Sequence, residues 1–173
     1  MKLHYIALPA LAQAYIQSQL STTFQSASVY SGQWPGYYYG QMLANGQQHG
    51  AGGYNSFDYQ ESFTGYYKYD KEDFGTWKDR DGSTYKGEYD SNGDSSGLGE
   101  WWNPQGDHYI GLFANDNFNG MGIFDMKTGD WPGVYSGTWK NGELEGMGTY
   151  VGTGSKAGVK YTGRWANGEW LDG

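Results

Sequence analysis

The chain has 173 residues, a formal net charge of −8 and no cysteine, which excludes disulfides, thiolate metal sites and cysteine nucleophiles. Its 11 Lys and Arg residues are scattered rather than clustered, which argues against nucleic acid and against direct binding of acidic lipid. With 30 Gly and 18% aromatic residues the composition favours β-structure, because rings fill pleated faces while Gly supplies turns and close approaches.

In chain order, residues 1–28 form an apolar leader to the rest. Met1-Lys2 precedes an apolar run over 3–12, and Ala12-Gln13-Ala14 looks like a small-residue cleavage site, as in a short secretory signal. His4 and Pro9 interrupt that run, so the reading taken is a short helix over 3–20. It offers Leu3, Ile6, Leu8, Leu11, Tyr15 and Ile16 for docking on the sheet or on a partner. The run is too short and interrupted for a membrane span.

Residues 29–173 are repetitive. Tyr38-x-Gly40-x-Met42 leads to Asn45-Gly46 and then Gly50-x-Gly52-x-Tyr54. Phe63-x-Gly65-x-Tyr67 leads to Gly75-x-Trp77, with Tyr69-Asp70-Lys71-Glu72 where a turn pair is expected and Trp77 in place of a second Gly. Tyr85-x-Gly87-x-Tyr89 leads to Asn92-Gly93 and Gly97-x-Gly99-x-Trp101. Tyr109-x-Gly111-x-Phe113 leads to Asn115-Asp116 and Gly120-x-Gly122-x-Phe124. Tyr135-x-Gly137-x-Trp139 leads to Asn141-Gly142 and Gly146-x-Gly148-x-Tyr150, and Tyr161-x-Gly163-x-Trp165 to Asn167-Gly168. Successive starts lie 25, 22, 24, 26 and 26 residues apart, and Tyr30-x-Gly32-x-Trp34 opens a further partial copy. The copies at Tyr38, Phe63 and Tyr85 carry one more residue before their Gly pair than the later ones.

Residues i, i+2 and i+4 of a strand share a face, so each ring–Gly–ring triplet forms one row. The central Gly leaves space for a ring from the neighbouring strand, and Asn-Gly suits a tight hairpin turn with both residues at positive φ. Asp81-Gly82, Gln105-Gly106 and Thr128-Gly129 turn the chain into the next hairpin. The expected fold is all-β: an elongated, single-layer, twisted antiparallel meander of about six hairpins, with a short N-terminal helix.

This pattern resembles the MORN (membrane occupation and recognition nexus) repeat, Tyr-x-Gly-x-Trp followed by a Gly pair, over about residues 30–173. The resemblance implies a modular interaction surface and no catalysis. It marks Tyr38, Gly40, Phe63, Gly65, Tyr85, Gly87, Tyr109, Gly111, Tyr135, Gly137, Trp139, Tyr161, Gly163 and Trp165 as structural.

Other motifs read as decoys. Gly93-x-Ser95-x-Gly97 matches a hydrolase elbow but falls in a hairpin turn rather than between a strand and a helix. Asp90, Asn92 and Asp94 begin like a calcium loop, but Ser95 and Trp101 stand where Gly and Glu are required. Gly152-x-Gly154-x-Lys156 lacks phosphate-loop spacing, and His4, His49 and His108 are too separated for a metal site. No catalytic or metal-ligating residue and no cofactor is expected. The functional expectation is a non-enzymatic subunit bound to other proteins of a large assembly, in cilium or cytoskeleton. A mitochondrial accessory subunit, or a secreted protein using its rings on glycans, are the alternatives.

Overall fold

A computed structural model describes residues 25–29 and 35–172, with side chains described from Pro35 onward. The expected helix over 3–20, its docking residues Leu3, Ile6, Leu11, Tyr15 and Ile16, and the partial copy at Tyr30 lie outside the described residues. The described chain is all-β, one open antiparallel sheet in which every strand pairs with its sequence neighbours. Its strands are β1 (Gln25–Val29), β2 (Gly36–Met42), β3 (Gln48–Ser56), β4 (Ser62–Lys68), β5 (Lys71–Lys78), β6 (Thr84–Tyr89) and β7 (Ser95–Trp102). There follow β8 (His108–Ala114), β9 (Asn117–Met126), β10 (Gly133–Lys140), β11 (Glu143–Gly152), β12 (Lys160–Ala166) and the two-residue β13 (Glu169–Trp170). A single 3₁₀ turn, Gly154–Lys156, precedes β12. β1 pairs with β2 from Gln25↔Gly40 to Val29↔Gly36, so the sheet begins before residue 29.

The register explains the repeat. Gly40, Gly52, Gly65, Gly75, Gly87, Gly99, Gly111, Gly122, Gly137, Gly148 and Gly163 are successive cross-strand partners, an unbroken row from β2 to β12. Two residues away on the same face runs a parallel row of rings: Tyr38, Tyr54, Phe63, Trp77, Tyr85, Trp101, Tyr109, Phe124, Tyr135, Tyr150 and Tyr161. The glycines serve these rings. The first rings Tyr38, Phe63, Tyr85 and Tyr109 lie along their own strands, each over its own Gly and that residue's partner. A Cβ on Gly111 would sit 2.5 Å from the Tyr109 hydroxyl and 2.6 Å from Gly122 Cα. A Cβ carbon does not approach other heavy atoms so closely, and here the neighbour is backbone that cannot give way.

The motif's preference for Tyr follows from what its hydroxyl does. Just past the central Gly the ladder slips by a β-bulge in every inner hairpin but the Phe63 one, where the slip falls between Tyr66 and Tyr67. Tyr38, Tyr85 and Tyr109 each donate to the carbonyl three residues on, those of Gln41 (2.7 Å), Glu88 (2.8 Å) and Leu112 (3.0 Å). A carbonyl displaced from the ladder at a bulge thereby keeps a partner.

Two expectations are corrected by the register. Gly75 faces Gly65, and Trp77 faces Phe63. Gly75 is therefore the second Gly of its copy and Trp77 the ring that follows it; that hairpin is shortened rather than extended. Its turn is the pair Tyr69-Asp70, both at positive φ, without Asn or Gly. Conversely, Asn45-Gly46 and Asn92-Gly93 do not form two-residue turns. They lie in five-residue loops where only the Gly has positive φ, closed by Leu43 N–H to Gln47 O and Asp90 N–H to Asp94 O. The extra residue of these copies sits there. Asn115-Asp116, Asn141-Gly142 and Asn167-Gly168 form the expected pairs with both residues at positive φ.

The two-residue turns also stitch neighbouring hairpins. The N–H of Asp70, Asp116, Gly142 and Gly168 donates to the carbonyl of Gln48, Ser95, Phe118 and Leu144 respectively, each in the hairpin before. Packing divides into two ring clusters. One contains Tyr38, Met42, Tyr54, Phe63 and Tyr67; the other contains Tyr85, Tyr109, Phe113, Trp139, Leu144, Tyr150 and Trp165. Tyr89 packs against both. Met42, in an aromatic slot, is buried like the rings that replace it elsewhere.

Candidate functional site

The structure brings the marked repeat residues together on one face, where they make the fold. Burial raises the phenols of Tyr38 and Tyr109 to about 12; the Asp70 carboxylate adds to the effect at Tyr38. The opposite face carries exposed apolar side chains that can meet another molecule.

There the x positions of the motif come to the surface. Leu98 on β7 faces Leu112 on β8, Glu100 faces Ile110, and Ile110 faces Ile123 on β9. With Met121 (63% exposed) and Leu98 (51%) these residues make a contiguous aliphatic band across β7–β9. Its borders are polar. Lys86 on β6 faces Glu100, Ser136 and Thr138 on β10 face Ile123 and Met121, and His108 stands between Trp102 and Asp125. The His108 and Trp102 rings stack at 5.1 Å and 4°, and His108 Nε2 lies 3.9 Å from the Glu100 carboxylate. A wide apolar patch with a polar rim is the surface character expected of a protein-binding site.

The decoy motifs resolve into turn chemistry. Asp90 Oδ1 accepts from the N–H of Asn92 (2.7 Å) and of Asp94 (3.2 Å), an Asx arrangement inside the β6–β7 loop. Ser95 opens β7 and its N–H donates to Asp116 Oδ1 at 2.6 Å. His49 on β3 is buried against the Tyr69 ring, and burial first, then Lys68, lowers its pKa. Asp107 is buried too. Burial pushes its pKa up, but donors from Lys127 N–H (2.6 Å), Asn103 Nδ2 (2.7 Å) and Thr128 outweigh that and hold it low. It ties the β7–β8 turn to the β9–β10 loop. Among the described residues, no helix is long and apolar enough to cross a membrane.

No protein-family model matches the chain, and the search of curated proteins finds no match. The geometry therefore carries the functional argument. The sequence reading missed Leu98, Ile110, Leu112, Met121 and Ile123, although a signal was present. The x positions of the copies from Tyr85 to Phe124 turn aliphatic, while Thr64, Ser136, Thr138, Thr162 and Arg164 hold corresponding places elsewhere.

Proposed function

We propose that this chain is a MORN-type repeat sheet acting as a non-enzymatic structural or adaptor subunit of a large protein assembly, with cilium or cytoskeleton as its setting. The setting rests on the resemblance of the repeat. The adaptor role rests on one observation, the division of labour between the faces. Rings cover one side of the sheet by packing on one another, whereas the aliphatic band of β7–β9 has no protein layer over it among the described residues. A band of that kind is stabilised by burial against a partner at roughly 25 cal/mol per Å² of apolar surface.

Co-purification from the native source tests this. An Ile110→Lys, Met121→Lys double variant should keep the fold, since both side chains are exposed, yet lose the assembly subunits that accompany the wild type. Thr162→Lys, on the same face outside the band, should keep them. Retention of those subunits by the double variant would contradict the proposal. So would a folded Ser95→Ala or Asp94→Asn variant that had lost all function.

A further inference from the structure

The face opposite the ring row is aromatic near the strand where the described chain enters the sheet. Tyr39 on β2, and the facing pair Tyr66 and Phe74 on β4 and β5, are 45%, 58% and 45% exposed. Tyr37, also exposed, packs on Phe57 at 4.9 Å. Tyr39 lies flat on the sheet because of Gly53, a Gly additional to the motif, where a Cβ would meet the Tyr39 Cζ and hydroxyl at 2.5 Å. The later copies hold Thr76, Glu100, Ile123 and Thr149 at that place. Thr64 faces Gly53 and Thr76 between the rings. Glu88 and Lys86 on β6 face Phe74 and Thr76 and close the patch with charge on that side.

On the other face of these strands Tyr38, Tyr54 and Phe63 are already buried, so only the outward rings want cover. The chain that precedes β1 has the chemistry to supply it. Residues 3–24 contain no Asp, Glu, Lys or Arg, so their burial desolvates no carboxylate, ammonium or guanidinium. Leu8, Leu11, Tyr15 and Ile16 follow the i, i+3, i+7, i+8 spacing of one helix face, and Pro9 suits a first helical turn. Reach agrees with this. β1 begins at Gln25, which pairs with Gly40 beside Tyr39. From β1 to β5 there are four strand spacings, about 19 Å. The stretch 9–20, as helix, is about 18 Å long, and residues 21–24 extend over a further ~13 Å.

We infer that residues 3–20 of this chain dock as an amphipathic helix on the aromatic patch of Tyr39, Tyr66 and Phe74. Leu8, Leu11, Tyr15 and Ile16 then turn toward those rings, and the sheet gains a second layer over β2–β5. The occupant of the patch is the chain's own N-terminal segment rather than a second molecule. This assignment is independent of the adaptor role, which uses the aliphatic band of β7–β9.

Hydroxyl-radical footprinting of the purified full chain, read by mass spectrometry, tests it. Oxidation of Tyr39, Tyr66 and Phe74 should rise several-fold in a Leu11→Asp, Ile16→Asp variant, while Met121, in the band, should be oxidised equally in both chains. The reciprocal change is Tyr66→Lys, Phe74→Lys, which alters exposed positions and should leave the β-type circular dichroism intact. Chymotrypsin should cut that variant after Tyr15 about tenfold faster than the wild type, because cleavage tracks the undocked population. Equal oxidation of the three rings in wild type and Leu11→Asp, Ile16→Asp chains would overturn the assignment. Equal cleavage after Tyr15 in wild type and Tyr66→Lys, Phe74→Lys chains would do the same. So would protection of the rings that disappears on dilution, which would seat a second copy on the patch.

Discussion

The hairpins of β2–β5 and those of β8–β11 share one register and one face pattern, yet they fill the same slot with opposite chemistry. The slot is the residue of the returning strand that faces the second ring. It is Gln48 opposite Met42, Glu72 opposite Tyr67 and Ser95 opposite Tyr89 in the first part. In the later part it is Phe118 opposite Phe113, Leu144 opposite Trp139 and Trp170 opposite Trp165. Phe118 stacks on Tyr109 at 3.7 Å and 5° and touches Phe113, Phe124 and Trp139, while Leu144 is buried. In the first part the hydroxyl of Tyr67 is buried without a hydrogen-bond partner among the described residues, and burial raises the pKa of Tyr67 and of Tyr89 on β6. The same backbone thus supports a second cluster with apolar slot residues and a first cluster with polar ones, while the indole N–H groups of Trp165 and Trp170 leave the end of the second cluster with unpartnered donors among the described residues. Stability should be concentrated in β8–β11.

The largest effect should come from Gly111→Val in the central row. Its side chain would meet Tyr109 and the backbone of Gly122, so a loss of about 3 kcal/mol or more is expected from overpacking. Because repeat stability sums local and nearest-neighbour terms, the damage should also uncouple the first cluster from the second. Equilibrium denaturation should then show two transitions. A single unshifted transition would mean that the Gly row is not what permits the rings to lie flat.

Phe118→Ala should cost about 2–4 kcal/mol, from lost burial and the cavity left behind. Gln48→Ala in the equivalent slot should change stability by less than about 0.5 kcal/mol. Similar losses at both sites would erase the contrast between the two parts.

Glu72 sharpens the comparison with an effect of the opposite sign. Burial raises its pKa above the ordinary 4.5. The native state therefore holds this proton more tightly than the unfolded chain, and stability falls as pH rises from about 4.5 through the raised value. Glu72→Leu, which copies Leu144, should remove this fall and stabilise the first cluster by about 1 kcal/mol at neutral pH. Thermal unfolding of wild type and variant between acid and neutral pH checks it; an unchanged slope would exclude Glu72 as its source.

How much of this was legible follows from particular residues. The Gly and ring rows could be read because period 2 and period 24–26 agree over Tyr85–Tyr161. The Tyr69-Asp70 turn could not be read, because neither residue favours positive φ by itself. Contacts outside the turn hold it: Asp70 Oδ1 accepts from Gln48 N–H at 2.7 Å, and the Tyr69 ring packs on His49 at 4.8 Å. The loop type at Asn45-Gly46 depended on one additional residue, which a motif search counts but does not convert into a turn. The exposed aliphatic band was visible in the x positions but lay outside the motif that organised the reading. The way Tyr135 turns from its Gly pair is a rotamer choice made by the Trp131 carbonyl and hidden from any local pattern.

Native-state hydrogen exchange resolved to single strands tests the asymmetry most directly. If the apolar slot residues concentrate stability, amides of β8–β11 should exchange last, by global unfolding only. Amides of β2–β5 should open earlier, at a free energy lower by about 1–3 kcal/mol. Uniform protection across the sheet, or slower exchange in β2–β5, would contradict the account.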